Sequence, residues 1–388
     1  MTASKLTLIC IFLLQHRNRQ KNYYPIDMEK IFNKKVKKME KRMIVLDFER
    51  MKYPHTGLFH FCQNLGFSLQ ESIETSSEEL SFYLPAKERN FFGKNERCII
   101  QQPWHKLVMP SLKNYSVWHS THQDSDYFPK NLPIVLTIHD INMLHNVNKS
   151  EQRKSQYIKA LEHKIKLANH VTFISEFTKN DVQRYIDLSD KAHTVIHNGC
   201  NIKAIEQLTT PALSVSAPFF FTIGTIMEKK NFHVLPALLE GNDKHIIIAG
   251  ITTSESYKQM ILINAKNLGV ADRVHFTGPI SENDKQWYLK NCLAFVFPSL
   301  TEGFGLPVVE AMHFGIPIFL SKYTSLPEIG GEVCYYFDSF NKIDMQHTIQ
   351  QGLQHYSNTN AKEKIQNRSA LFNWKKAATK YLEIYRSF

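Results

Sequence analysis

At 388 residues, with 43% hydrophobic and 21% charged side chains, the chain has a globular composition and length enough for two domains. No apolar run approaches the ~18 residues that a membrane-crossing helix needs. The net charge is +11, but eleven Lys and Arg against three acids place +8 in residues 1–42 and leave +3 on the other 346, so no nucleic-acid partner is expected.

The N-terminal 42 residues read as a basic extension. Leu6–Leu14, "LTLICIFLL", resembles a signal-peptide core, but "QHRNRQ" follows it in place of a small-residue cleavage site. Met28, Ile31, Phe32, Val36 and Met39 fall at helical spacing among five lysines. That pattern fits a basic amphipathic helix on an anionic membrane surface. The reading preferred over it is a mis-assigned start or a loose extension ahead of the first strand at Met43. The six cysteines are scattered without C-x-x-C spacing, as expected of free thiols in a reducing cytoplasm.

From Met43, short apolar strands alternate with helices. "MIVLDF" precedes a helix from Gly57, then come "SVWHS", "IVLTIHD", a helix across Ser150–Ala168, "VTFISEF", another helix and "TVIHNG". Near-continuous apolar runs of this kind indicate strands covered on both faces. Leu208–Pro218, "LTTPALSVSAP", reads as a linker. A second series follows: "FFFTIGT", a helix from Phe232, "HIIIAG", "VHFTG", "LAFVFPS", "IPIFLS" and "VCYYFD", with helices between and after. The expected class is α/β, with two doubly wound Rossmann-like domains facing across a cleft. Their bounds are 43–208 and 209–370, with a terminal helix over 371–388.

The densest chemistry lies in Phe297–Pro317, "FPSLTEGFGLPVVEAMHFGIP". A buried strand ends at Pro298, a glycine loop follows, Pro307 suits a first helical turn, and Gly315 suits the helix end. Strand, loop and helix start together present free amides and a positive dipole end to an anion. Glu302 and Glu310, with seven residues between them, would repel phosphate. The conflict disappears if each carboxylate accepts hydrogen bonds from vicinal hydroxyls of a sugar. A nucleotide sugar, with a sugar at each end and charge in the middle, meets every requirement.

"EGFGLPVVE" closely resembles the E-x7-E motif of the retaining glycosyltransferases of family 4, within the GT-B superfamily. The resemblance runs from Met43 to the end. "FFFTIGTIMEKKNFHVL" is similar to the strand and phosphate-lysine segment, and "FNWKKAATKYLEIY" to a final helix that crosses back to the first domain.

The resemblance implies Lys230 on the donor diphosphate, with Lys229 beside it and Gly224 and Thr225 lining the strand end. The family often has Arg at the Thr225 position. It implies Glu310 on the ribose, and Glu302 with the amides of Gly303, Phe304, Gly305 and Leu306 on the transferred sugar. His139 of "TIHD" would contact the reacting region, with Asp140 orienting it or shaping its loop. Gly57 stands where the family has a glycine-rich loop near the diphosphate. Lys230, Glu302 and His139 are the candidate catalytic residues. No protein nucleophile, metal or cofactor is expected, because retaining members are thought to use a front-face route.

The expected partners are a nucleotide-sugar donor and a glycan or lipid-linked acceptor, in bacterial polysaccharide or lipopolysaccharide assembly. The expected location is the cytoplasm, with peripheral contact to an anionic membrane. The "GTxxxxKN" variant resembles mannosyltransferase-like members and so favours GDP-mannose. Other readings are an epimerase or phosphorylase of this fold, or a non-catalytic nucleotide-sugar-binding protein. Asp124–Asp126, "DSD", matches a D-x-D metal motif in three residues only, and His119 and His122 lack a third ligand in sequence.

Overall fold

The computed structural model describes residues 41–388 apart from 55 and 201. The candidate signal core and amphipathic helix lie outside the described residues. The first sheet contains β1 (Arg42–Asp47), β2 (Glu78–Leu84), β3 (Arg97–Ile100), β4 (Val117–Ser120), β5 (Ile134–Ile138), β6 (His170–Phe173) and β7 (His193–Val195). The second contains β8 (Phe219–Ile223), β9 (His245–Ala249), β10 (Val274–Gly278), β11 (Ala294–Phe297), β12 (Ile318–Ser321) and β13 (Tyr335–Phe337). Every strand pairing in both sheets is parallel.

The strand orders are β3-β2-β1-β4-β5-β6-β7 and β10-β9-β8-β11-β12-β13. Each order reverses once, between β1 and β4 and between β8 and β11. At such a point the connecting segments leave to opposite faces, and a crevice opens beyond the carboxyl ends. The helices are α1 (Gly57–Ser72), α2 (Asn142–His145), α3 (Glu151–Leu167), α4 (Glu176–Gln183), α5 (Glu255–Asn267), α6 (Glu282–Asn291), α7 (Leu306–Phe314), α8 (Leu326–Gly330), α9 (Lys342–Asn358), α10 (Ala361–Ser369) and α11 (Trp374–Arg386).

Local chemistry accounts for several boundaries. Ser150 and Ser175 cap α3 and α4 by accepting the amides of Arg153 and Thr178. Ser281 and Asp284 form a reciprocal capping box on α6. Three expectations need correction. The first strand begins at Arg42, one residue before Met43. The segment from Phe232 to Leu239 is 3-10 helix, with Pro236 in its middle removing an amide donor. Strands β2 and β3 were not singled out by the alternation of apolar runs. β2 begins with acids, and β3 is a half-exposed edge strand.

Helix α11 ties the end of the chain to the first sheet. Trp374, Ala377, Ala378, Tyr381, Leu382 and Tyr385 repeat at helical spacing and are all buried. Trp374 meets Phe61 of α1 with ring centroids 5.5 Å apart. Tyr385 Oη lies 2.6 Å from His119 Nδ1, His119 Nε2 lies 2.7 Å from Thr137 Oγ1, and Tyr381 Oη lies 3.2 Å from the same Thr137 oxygen. Arg386 holds Glu78 of β2 through Nε and Nη2 at 2.7 and 2.9 Å. One continuous core therefore runs from α1 through α11 to Phe219, Phe297 and Val308 of the second half.

Tyr385→Phe keeps the ring and strands a buried nitrogen of His119, so it should destabilise the chain by about 1–3 kcal/mol. Equilibrium urea unfolding measures the loss, and an unchanged midpoint would show that the buried network adds nothing.

Candidate active site

The carboxyl ends of β8 and β11 meet at the second switch point. Beyond them lies a cleft with two adjoining lobes of about 440 and 550 Å³. His60, Lys285, Leu306, Glu310 and Trp374 line both lobes. The first half contributes Gly57, His139 and Asp140, and the second contributes Gly224, Thr225, Lys229, Lys230 and the Glu302–Pro307 loop. Every site residue expected from the sequence therefore lines this one cleft.

The loop after β11 is rigidly set. Ser325 Oγ lies 2.9 and 3.0 Å from the carbonyl oxygens of Glu302 and Phe304, which share its one proton. The Glu302 amide donates to Thr324 Oγ1 at 3.0 Å, and Thr324 sits at φ +57°, a strained conformation for a β-branched residue. Gly305 caps α7 at φ +99°, which glycine adopts without a Cβ penalty. Pro307 occupies the first turn and Gly315 the C-cap, as the sequence indicated. The amides of Gly303, Phe304, Gly305 and Leu306 have no protein acceptor among the described residues. Phe304 contributes only backbone here, because its ring packs edge-on against Phe372 at 5.6 Å.

Each acid carries a lysine. Lys230 Nζ lies 2.5 Å from Glu302 Oε1, and Ser299 Oγ donates to the same oxygen at 2.6 Å. Lys230 is only 9% exposed, and its ammonium sits 4.9 Å from the Phe297 ring centroid. Lys285 of α6 pairs with Glu310 Oε1 at 2.7 Å. Oε2 of both acids has no protein partner among the described residues. The carbonyl of Lys229 accepts from Leu300 N at 2.8 Å, which joins the lysine turn to the acidic loop.

Across the cleft, His139 Nε2 lies 2.8 Å from the Thr121 carbonyl and donates to it, so Nδ1 is the acceptor nitrogen. Burial pushes its pKa down to about 4, against the pull of that hydrogen bond. The ring is therefore neutral at neutral pH and offers a lone pair rather than a proton. Asp140 does not orient it. The Asp140 carboxylate accepts the Asn142 amide at 3.0 Å and shapes the loop, while burial raises its pKa. Gly57 starts α1 with open space where a side chain would be.

Two of the metal-like residues are otherwise engaged. His119 has both ring nitrogens bonded in the core, and Asp126 pairs with Lys106 at 2.6 Å. No group of three or more His, Cys, Asp and Glu converges among the described residues.

The two halves touch at the acidic loop itself. A Cβ on Gly303 would collide with the His139 carbonyl oxygen. Ser175 Oγ and Thr178 Oγ1 donate to the Gly303 carbonyl at 2.7 and 3.2 Å. Glu328 of α8 accepts the Glu176 and Phe177 amides, each at 2.8 Å, at the positive end of α4. His197 Nε2 lies 2.6 Å from the same carboxylate. Sequence reasoning missed Ser175, Thr178, Glu328 and Lys285, since each acts through a partner distant in the chain. Asn198 Oδ1 and Trp374 Nε1, both in the cleft lining, are buried without hydrogen-bond partners among the described residues.

Residues 203–368 match the family model described as Glycosyl transferases group 1, and residues 74–204 match that of Glycosyltransferase Family 4. The chain is 23% identical over 384 residues to the O-antigen chain mannosyltransferase B of Escherichia coli, covering 88% of this chain and 99% of that protein. It is 25% identical over 198 residues to the O-antigen chain mannosyltransferase RfbU of Salmonella typhimurium, covering 50% of this chain and 53% of the relative. Sucrose-phosphate synthase from Thermosynechococcus elongatus superposes with a TM-score of 0.71 at 17% identity, over 89% of this chain and 99% of that one. The Anabaena protein HepE, solved with UDP and glucose, gives 0.71 at 15% identity, over 89% and 100%. These structural likenesses bear on the fold.

Burial works to raise the Glu328 pKa, but His197 and the two amides outweigh it and hold it below the usual carboxylate value. A depressed value stabilises the fold above the unfolded pKa of ~4.3, and that contribution is lost as pH falls through the folded value. Glu328→Ala should therefore cost about 1–3 kcal/mol at neutral pH. The gap between variant and wild-type melting temperatures should close under acid. A gap that persists unchanged in acid would assign the loss to packing rather than to the carboxylate.

Proposed function

The chain belongs to glycosyltransferase family 4, with the GT-B fold, and on that premise we propose that it moves a hexose from a nucleoside-diphosphate sugar to a glycan or lipid-linked acceptor with retention of configuration. The observation that carries this reading is the loop Gly303–Leu306. Its unpartnered amides and helix start lie between two carboxylates that each keep one oxygen open, with Lys229 and Lys230 alongside. The relatives that share nearly the whole chain or half of it act on O-antigen, so the setting we propose is bacterial O-antigen or lipopolysaccharide synthesis. Mannose from GDP-mannose is the favoured donor, and the UDP bound in HepE is the competing precedent for the base.

The chemistry asked of the protein is mostly electrostatic. As the bond from the sugar to the diphosphate breaks, negative charge grows on the leaving oxygen. Lys230 has N–H groups beyond the one given to Glu302, and with Lys229, the loop amides and the α7 dipole it receives that charge. Glu302 Oε2 accepts a hydroxyl of the transferred hexose and fixes its orientation. The neutral His139 offers Nδ1 to a hydroxyl on the opposite side. The acceptor oxygen bonds to the anomeric carbon on the face the diphosphate leaves, and its proton passes to the departing phosphate oxygen. No side chain is assigned as nucleophile. The proposed reaction needs no metal, and we place it at the cytoplasmic face of the membrane, where the basic extension would meet anionic lipid.

With a donor identified by a thermal-shift screen of nucleotides and nucleotide sugars, Lys230→Ala should lower kcat by about 10²–10³-fold. Glu310→Gln should mainly weaken donor binding, and Glu302→Gln should mainly slow transfer. Equal losses of turnover in both, at unchanged donor affinity, would contradict the assignment. Activity should also survive excess EDTA, and a strict manganese requirement would reopen the Asp124–Asp126 loop as a metal site.

A further inference from the structure

Lys285 belongs to none of the sequence motifs, yet it stands at the join of the two lobes. Its ammonium is 2.7 Å from Glu310 Oε1 and 2.9 Å from Glu282 Oε2, and the side chain is 14% exposed. Burial opposes its charge, but the two carboxylates outweigh that and hold its pKa above the ordinary lysine value. An ammonium has three N–H donors, and the two acids take two of them. Glu310 is in the complementary state, with Oε1 occupied by Lys285 and Oε2 open.

This changes how the ribose end can work. A bare carboxylate would take both hydroxyls of a vicinal diol, one on each oxygen. Here Oε1 already accepts from Lys285, so a hydroxyl arriving on that side meets the ammonium as well as the oxygen, and displacing the ammonium would leave Lys285 short of a partner. The lower-cost arrangement leaves the pair intact and uses what each partner has spare. A ribose diol carries both donors and acceptors, so it can meet one acceptor and one donor at once.

We propose that Lys285 and Glu310 form a mixed clamp for the donor ribose. Glu310 Oε2 accepts from one hydroxyl, and the third N–H of Lys285 donates to the oxygen of the other. The proposal rests on Glu310 marking the ribose end of the donor site. Glu282 has the supporting task of anchoring the ammonium from its own helix, so that Lys285 cannot swing toward the diphosphate. Lys230 and Glu302 share the same logic at the other end of the loop, where a lysine paired to an acid keeps N–H groups for the ligand. His60 faces this region from α1, and burial lowers its pKa, so it adds no competing positive charge at neutral pH.

The test is calorimetric titration of the full chain with GDP and UDP. The tighter of the two is then compared with its 2′-deoxy and 3′-deoxy forms. Wild type should bind each deoxy form about tenfold more weakly, the equivalent of roughly 1.4 kcal/mol per lost hydrogen bond. Lys285→Met should weaken the ribonucleotide about tenfold and lose discrimination against one deoxy form while keeping it against the other. Lys285→Arg should restore part of both. Retention of both discriminations by a folded Lys285→Met would overturn the clamp. Indifference of wild type to both hydroxyls would also overturn it, without any variant, while leaving the nucleotide reading standing. If wild type binds neither nucleoside diphosphate, the donor reading fails and the clamp fails with it.

Discussion

The structure turns on the close approach of Gly303 to the backbone of His139. Only a residue without a side chain fits there, because any Cβ would collide with the His139 carbonyl. The contact presses the acidic loop of the second sheet against the strand end that carries the histidine of the first. Ser175 and Thr178 then fasten the Gly303 carbonyl, and Glu328 caps the helix that supplies them. With that contact in place, the donor amides, both lysines and His139 face one cleft.

Around this contact the charges come in shared pairs. Lys230 with Glu302 and Lys285 with Glu310 are each largely removed from water. An unpaired ammonium or carboxylate at those depths would be costly. A neutralised pair is not, and each pair still has an open oxygen and spare N–H groups. The site is therefore stable without ligand, yet it can hold hydroxyls and phosphate without first breaking an ion pair. The carboxylates, which look hostile to an anion in sequence, are already compensated by their lysines.

Much of the fold was legible in the sequence, and the reason is physical. Four strands of the second sheet, β8, β9, β11 and β12, are mostly apolar and largely buried, so they read as continuous runs. Strand β2 broke that rule because Glu78 is buried at its start, where its carboxylate is held by Arg386, 308 residues away, and by the nearby Glu74 amide. The edge strand β3 is too exposed to show the pattern. The acidic loop was legible because glycine, proline and acid act locally there. Its lysine partners are 72 and 25 residues away in sequence. Lys285 in particular sits on a well-capped helix whose sequence reads as a solvated face. Of the two tasks the sequence leaves open for Asp140, orienting His139 or shaping its loop, the structure shows the second, and the carbonyl that orients the imidazole belongs to Thr121, which carries no sequence signal for that task.

The central claim is that one nucleotide sugar lies along the loop with its ribose at Glu310, its diphosphate on the Gly303–Leu306 amides and Lys230, and its hexose toward Glu302 and His139. A crystal structure of the chain with its nucleoside diphosphate bound tests it most directly. The account predicts ribose hydroxyls within hydrogen-bond distance of Glu310 and the terminal phosphate against the α7 start. A nucleotide lying the other way round, with ribose at Glu302, or one bound outside this cleft, would contradict it.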